Sequence, residues 1–167
     1  MKKLLLLLFA IPLALSISAQ DPSISEVSTY FLIRHAEKVI SQDPNPPLDQ
    51  WGMIRASQWA AHFRDIEFDA IYSTGYIRTI NTVQPAADLQ GLEITLYDPG
   101  KIDYRQFIGQ TKGQKVLIVG HSNTIPEFVN NLIGSKKYEQ MEDNNNGNLY
   151  IVHISKDIIT DILLHIN

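Results

Sequence analysis

The alternation of short apolar runs with helical segments is the feature that most constrains how this sequence can fold. Helical patterning covers residues 49–63 and 76–89, with a shorter segment at 104–110. The runs between these segments are all-apolar or nearly so, which is typical of strands covered on both faces, and they occupy residues 30–33, 70–73, 94–97 and 116–119. This order predicts an α/β fold, a three-layer αβα sandwich around a mostly parallel mixed sheet.

The last third of the chain is expected to add a helix and an antiparallel hairpin. Asn123 or Thr124 can cap the helix, and Pro126 falls in its first turn. Residues 149–154 and 158–164 read as the two strands of the hairpin. The 167 residues suit one domain, and no internal repeat divides them.

Two details are predicted within the first two helices. Asp49 can cap the first helix, and the spacing of the apolar residues predicts one inward face, formed by Met53, Ala56, Ala60 and Phe63. Pro85 is expected to kink or shorten the second helix, because proline removes one backbone hydrogen bond.

Basic side chains follow several of the predicted strands. Arg34 and His35 come directly after the first strand, Arg78 lies just past the second, and His121 follows the fourth. Ligand sites in such sheets lie beyond the carboxyl ends of the strands, so these four side chains are expected to converge. Arginine binds phosphate through a planar fork of donors. A histidine beside arginines has a lowered pKa, so it can act as a neutral nucleophile, whereas a second histidine, if charged, can stabilise a phosphoryl group in transfer.

Other interpretations of these residues are ordinary structural ones. An Arg-His pair after a strand is most often a surface element, and either histidine can be a structural residue. A metal site is disfavoured because the sequence has no His-x-x-x-His pair and arginines beside the histidines repel a cation. The absence of cysteine excludes disulfides, Cys-ligated zinc, iron–sulfur clusters and thiol nucleophiles. No cofactor is expected.

The net charge and the first twenty residues bear on partners and location. A net charge of −4 argues against nucleic acid, which needs clustered Lys and Arg. The basic side chains at the strand ends favour a small phosphorylated substrate instead. Lys2 and Lys3, an uncharged apolar stretch and then small residues form the pattern of a secretory signal peptide at residues 1–20. The alternative is an uncleaved anchor, but a membrane span needs about 20 apolar residues. We therefore expect a domain over 21–167, periplasmic or secreted, without stable membrane insertion after cleavage; the oligomeric state has no signal in the sequence.

Five blocks of the chain, in order, resemble the histidine phosphatase superfamily, also called phosphoglycerate mutase-like. Residues 32–38 are similar to its Arg-His-Gly/Ala-Glu signature and residues 119–124 to its second histidine motif. Residues 48–56 and 72–82 resemble the two blocks between them, with Thr74-Gly75 where Ser-Pro is usual, and the closing strands fit as well. The resemblance covers about residues 28–165.

The resemblance implies a role for each strand-end residue. His35 would be the catalytic nucleophile and form a phosphohistidine intermediate, which water would then hydrolyse. Arg34 and Arg78 would bind the substrate phosphate, and His121 would complete the catalytic pocket. The family works without a metal or an organic cofactor.

The proton donor is not defined by the resemblance. The mutase-like branch uses a Glu after the third strand, and residues 96–103 contain none. Asp98, at the end of that strand, is the candidate general acid, and its alternative role is that of a turn residue before Pro99. Glu37 and Asp103 are its rivals.

The sequence therefore predicts an exported, metal-independent phosphomonoester hydrolase acting on a phosphorylated sugar, glycan or other small phosphomonoester. A phosphoglycerate mutase-type transferase is an alternative, although this short chain has little room for a lid. A protein-phosphohistidine phosphatase is another, and a non-catalytic phosphate- or phosphoglycan-binding module is an alternative of a different class.

Overall fold

The computed structural model describes residues 27–156 and 158–166, and this part of the chain contains a six-stranded sheet. The strands lie in the order β3-β2-β4-β1-β5-β6. Their bounds are β1 (Ser28–Arg34), β2 (Ala70–Thr74), β3 (Ile94–Tyr97), β4 (Lys115–Gly120), β5 (Asn148–Ile154) and β6 (Ile159–His165). Strand β4 pairs in parallel with β1 and β2, and β2 with β3, whereas β5 runs antiparallel to β1 and β6. The predicted mixed sheet is confirmed.

Helices cover both faces of the sheet, as the apolar runs predicted. They are α1 (Gln50–His62), α2 (Ile77–Gln90), α3 (Tyr104–Gln110) and α4 (Thr124–Ile133). In β4, Leu117 and Val119 belong to a core cluster with residues of α1 and α2. Val116 and Ile118 belong to a second cluster with residues of α3 and α4. Because successive residues of a strand point to opposite faces, a strand between two helical layers must be apolar at every position.

The inward face of α1 is shifted from the predicted one. Met53 is 57% exposed, and Trp59 is only 2% exposed and stacks on Phe63 with ring centroids 5.5 Å apart. The buried stripe contains Gly52, Ala56, Trp59 and Ala60. A Cβ at Gly52 would lie 2.0 Å from the backbone oxygen of Glu37, so the chain after β1 passes directly over this glycine. This close approach turns residue 52 inward and Met53 outward. The expectation for Met53 was wrong.

The helix ends agree with the predictions in part. The Asp49 side chain accepts from the Gly52 N–H at 2.8 Å and caps α1. Helix α2 continues through Pro85 for 14 residues, so the proline does not shorten it. Its buried residues on either side of the proline, Val83 and Ala86, pack in the core and stabilise the helix across the missing hydrogen bond. Asn123 occupies the N-cap position of α4 without a side-chain cap bond.

The parallel strands end together at one edge of the sheet. Arg34, the last residue of β1, is in register with Gly120 of β4, and Thr74 of β2 is in register with Tyr97 of β3. The segments that follow β1, β2, β3 and β4 therefore meet above this edge. The predicted signal peptide lies outside the described residues and stays a prediction. No helix in the described part is long and apolar enough to cross a bilayer.

Candidate active site

A cavity of about 900 Å³ lies at the carboxyl edge of the sheet. Four basic side chains from β1, α2 and the segments after β1 and β4 line it: Arg34, His35, Arg78 and His121. The predicted convergence of these four side chains is what the structure shows. Residues that follow β3, and Asp143 of the segment after α4, also line the cavity.

The His35 ring is held in one tautomer by the backbone of the residue that follows it. It is 3% exposed, and its Nδ1 lies 2.7 Å from the Ala36 carbonyl oxygen. A carbonyl oxygen can only accept, so Nδ1 carries the proton and Nε2 keeps the lone pair in the neutral ring. The Ala36 N–H in turn donates to Thr82 Oγ1 at 2.8 Å, which fixes the backbone that orients the ring. His35 thus has the form that a nitrogen nucleophile requires.

Arg34 is anchored by main-chain oxygens and retains free donors. Its Nη1 donates to the carbonyl oxygens of Glu142, Asp143 and Asn145 at 2.9, 3.0 and 3.1 Å. The residue is 5% exposed, and its Nε is buried without a hydrogen-bond partner. Leaving a buried donor unpaired costs about 1–3 kcal/mol. An anion in the cavity would relieve this cost by accepting from Nε and Nη2 together.

Arg78 is held by an aromatic ring instead. Its guanidinium carbon lies 4.3 Å from the centroid of Tyr76, and its Nη1 donates to the Pro44 carbonyl at 3.4 Å. The Nε of Arg78 is also buried without a partner. The Tyr76 ring further packs edge-on against His121, with centroids 4.9 Å apart. Tyr76 therefore positions one cation and one imidazole of the site.

Both histidines of the cavity have lowered pKa values. Burial lowers the pKa of His35 to about 3; the bond to Ala36 opposes this shift, while Arg34, His121 and Arg78 add to it. Burial also lowers the pKa of His121 to about 4, with Arg78 and Arg34 contributing. The two rings lie edge to face with centroids 5.5 Å apart. In the unliganded site at neutral pH, both rings are uncharged.

The carboxylates considered as proton donors lie in different places. Asp98 lines the cavity, and Asp143, which the sequence analysis did not consider, lines it as well. Glu37 is outside the lining and pairs with Arg55, whose Nε and Nη2 both lie 2.8 Å from Oε1. Asp103 caps α3 by accepting from the Gln106 N–H at 3.0 Å. Neither Glu37 nor Asp103 is placed to meet a ligand in this cavity.

Asp98 combines a position in the cavity with a turn. It accepts from Lys101 Nζ at 3.1 Å and from the Gly100 N–H at 2.9 Å, and these contacts lower its pKa. The turn role considered for Asp98 is therefore present in the structure. A carboxyl with a lowered pKa is ionised at neutral pH, so Asp98 must take up a proton before it can serve as an acid.

Several lining residues were not identified from the sequence. Lys38, Tyr76 and Asp143 lie in loops or at a helix start, where hydrophobic periodicity carries no information. Thr74 was given no role in the site from the sequence, yet its Oγ1 lies 3.0 Å from His121 Nε2. Its position as the last residue of β2 was the available signal. Among the residues described, no three His, Asp or Glu side chains are grouped as ligands for a metal ion.

The fold and this cavity define an α/β protein of the phosphoglycerate mutase-like type with two arginines and two histidines in one pocket. Residues 30–99 match the model of the histidine phosphatase superfamily (branch 1). No curated protein sequence is significantly similar to the chain. The family match and the shared fold confirm the predicted resemblance to the histidine phosphatase superfamily.

Solved structures with this fold include phosphatases and a mutase. Phosphoglycerate mutase from Bacillus anthracis is 17% identical with a TM-score of 0.64, covering 84% of this chain and 93% of its own. The alpha-ribazole phosphatase from Shigella flexneri is 16% identical with a TM-score of 0.65, covering 82% and 96%. Phosphoserine phosphatase from Entamoeba histolytica, in complex with 3-phosphoglyceric acid, is 18% identical with a TM-score of 0.59, covering 84% and 96%.

Proposed function

We propose that the protein hydrolyses phosphomonoesters through a phosphohistidine intermediate on His35. The observation that carries this proposal is that a neutral histidine nitrogen and unpaired arginine donors line the same cavity. His35 keeps its Nε2 lone pair available, because its Nδ1 proton is held by Ala36. Beside it, Arg34 and Arg78 each have a buried Nε without a partner. This combines a nucleophile with donors for a phosphoryl group.

In the first step of the proposed reaction, Nε2 of His35 attacks the phosphorus atom. The P–N bond forms as the P–O bond to the leaving group breaks, and the departing oxygen takes a proton from Asp98, which must already be protonated when the step begins. Arg34 and Arg78 hold the non-bridging oxygens, where charge is concentrated in the transition state. The products of this step are the free alcohol and phosphohistidine.

In the second step, water attacks the phosphorus from the side that the alcohol has left. The P–N bond breaks, Nε2 regains its lone pair, and the proton of the water returns to the Asp98 carboxylate. The sum is ester plus water giving alcohol plus inorganic phosphate. The exposed side chains of Tyr76 and Leu96 in the cavity wall leave room for water, which favours hydrolysis over transfer to a second acceptor.

A resident metal is not needed in this reaction, because the two guanidiniums supply the positive charge that a metal would otherwise provide. The substrate we propose is a phosphorylated sugar, glycan or other small phosphomonoester outside the cytoplasm. Its location rests on the predicted signal peptide at residues 1–20. Hydrolysis of protein phosphohistidine, mutase-type transfer and phosphate binding without turnover are the alternatives that the experiment must separate.

The test is hydrolysis of an aryl phosphate by the purified protein in the presence of a chelator. We expect turnover by the wild type, none by His35→Ala, and wild-type turnover by His62→Ala, a matched control whose histidine is exposed on α1. Brief reaction and quenching in base should leave phosphate on the wild type that acid then releases, as a P–N bond requires. Full turnover by His35→Ala would exclude the phosphohistidine mechanism.

Product analysis separates the alternatives. Release of inorganic phosphate in step with the alcohol supports a hydrolase, whereas phosphate appearing on an added alcohol supports a transferase. Binding of inorganic sulfate without turnover of any phosphoester would support a binding module. A panel of phosphorylated sugars, glycans and phosphohistidine peptides, compared by kcat/KM, then identifies the substrate class.

A further inference from the structure

A chain of hydroxyl groups behind the cavity determines which nitrogen of His121 carries its proton. Thr79 Oγ1 lies 2.8 Å from the carbonyl oxygens of both Thr74 and Tyr76. Carbonyl oxygens only accept, so the single hydroxyl proton of Thr79 points toward them. Thr79 Oγ1 must therefore act as an acceptor in its 3.0 Å contact with Thr74 Oγ1.

The same assignment of one proton to each hydroxyl group applies to Thr74. The hydroxyl proton of Thr74 is donated to Thr79, so Thr74 Oγ1 can only accept in its 3.0 Å contact with His121 Nε2. His121 Nε2 must then carry a hydrogen. Thr74 and Thr79 are both buried, so no water competes to reverse the direction of these bonds.

From this geometry we infer that Thr74 is a positioning residue that holds His121 as the Nε2–H tautomer, so that His121 can bond a bound phosphoryl group only after taking a proton on Nδ1. A phosphoryl dianion offers acceptors only, and the neutral Nδ1 is an acceptor as well. Binding of the dianion is therefore coupled to the uptake of one proton by His121. The inference rests on the proposed function.

The charges around His121 are consistent with this coupling. The cations that line the cavity with it are Arg34, Lys38 and Arg78. The carboxylates are Asp98 and Asp143, and the further titratable rings are His35, Tyr76 and Tyr97. Burial and the cations keep the empty site's His121 neutral, with its pKa at about 4. A dianion placed among these cations reverses the local field and raises that pKa.

The experiment measures sulfate binding by calorimetry between about pH 5 and 7, because sulfate stays a dianion throughout this range. For the wild type we expect Kd to rise about tenfold per pH unit, the signature of one proton taken up on binding. Thr74→Ser should keep this slope because it keeps the hydroxyl. A flat wild-type profile, or no sulfate binding at any pH, would overturn the inference.

Two variants distinguish tautomer control from a merely structural role. Thr74→Val has nearly the shape of threonine and removes the acceptor, so neutral His121 can carry its hydrogen on Nδ1. Thr79→Val frees the Thr74 hydroxyl to donate to Nε2, with the same consequence. Both should bind sulfate at pH 7 at least as tightly as the wild type, with a flat pH profile. Wild-type slopes in both variants would contradict the role of Thr74.

His35 is the other histidine that could take up the proton. His121→Gln, which cannot be protonated, should lose the pH dependence of sulfate binding. A slope that survives in His121→Gln would assign the proton to His35 and overturn the inference. Hydrolysis of the aryl phosphate is measured in parallel. Its absence in the wild type would contradict the proposed function, whereas turnover combined with flat sulfate binding would contradict only the role of Thr74.

Discussion

Asn146 donates from its Nδ2 to the backbone oxygen of His35 at 2.8 Å, linking residues 111 positions apart. Both residues are buried, so the carbonyl has no water to replace this donor. The segment after α4 therefore supports the main chain of the proposed nucleophile as well as Arg34. Substitutions in this segment should therefore alter the rate of the reaction, even though Asn146 does not line the cavity.

Replacing Asn146 by alanine should lower the free energy of unfolding by about 1–3 kcal/mol, because it leaves the His35 carbonyl buried without a donor. It should also lower kcat on an aryl phosphate, because the His35 ring is oriented by the same backbone. Urea denaturation and steady-state kinetics measure the two effects. Asn144→Ala, an exposed residue of the same turn, is the control. Equal stability of the two variants would count against this support.

Glu37 should prove structural rather than catalytic. Its two oxygens accept from Arg55 Nε at 2.8 and 2.9 Å, and it does not line the cavity. We expect Glu37→Gln to reduce stability by about 1 kcal/mol and to change kcat on aryl and alkyl phosphates by less than about twofold. Arg55→Gln should reproduce the loss of stability. A large fall in kcat on alkyl phosphates alone would make Glu37 the acid instead.

The two carboxylates of the cavity can be compared directly. Aryl leaving groups need little protonation, whereas alkoxides need it strongly, so loss of the acid should affect alkyl phosphates more. Asp98→Asn should lower kcat/KM on alkyl phosphates by about 10²-fold and on aryl phosphates by much less. Asp143→Asn, the matched change, should show no such preference. The reverse pattern would transfer the role to Asp143.

The buried histidines predict a stability that falls in acid. Their ordinary pKa is 6.5, and the folded protein lowers it to about 3 for His35 and about 4 for His121. Between pH 6.5 and those values the unfolded chain binds more protons, so the free energy of unfolding decreases as pH falls. Each histidine contributes up to about 1.4 kcal/mol per pH unit to this slope, and neither contributes above pH 6.5.

Urea denaturation at several pH values in a sulfate-free and phosphate-free buffer checks this dependence. His121→Gln should be less sensitive to acid than the wild type between pH 4 and 6.5, since one of the two protonations is lost. His62→Gln, at an exposed position, should follow the wild type. Parallel curves for all three proteins would contradict the proposed source of the acid sensitivity.

The fold and four of the basic residues of the cavity could be predicted, because both depend on regular structure. Apolar runs locate the strands, and parallel strands bring Arg34 and Gly120 to the same edge. A lowered pKa was also predictable for one histidine of the pair, but its main cause was not. The sequence argument relied on neighbouring cations, whereas burial has the larger effect on both rings. Burial depends on packing that no local pattern reveals.

The rest of the cavity depends on irregular segments and close approaches. Asp143 belongs to a turn, and the sequence of a turn does not specify where the segment packs. Its place in the cavity wall follows from the hydrogen bonds between this segment and Arg34. Met53 lies outside the buried face of α1 and Trp59 lies within it, because the chain after β1 passes over Gly52. Such contacts between distant segments have no periodic signature. Asp98 could be located from the sequence, but its ion pair with Lys101 could not.

The anchoring of Arg34 by backbone oxygens has a consequence for how the site can evolve. Every residue presents a carbonyl, so the three bonds from Nη1 do not depend on which side chains occupy positions 142, 143 and 145. Substitutions there can alter the cavity wall while the guanidinium stays in place. Libraries randomised at these three positions should therefore yield folded proteins with altered substrate preference far more often than libraries randomised at Arg34 and its neighbours in β1.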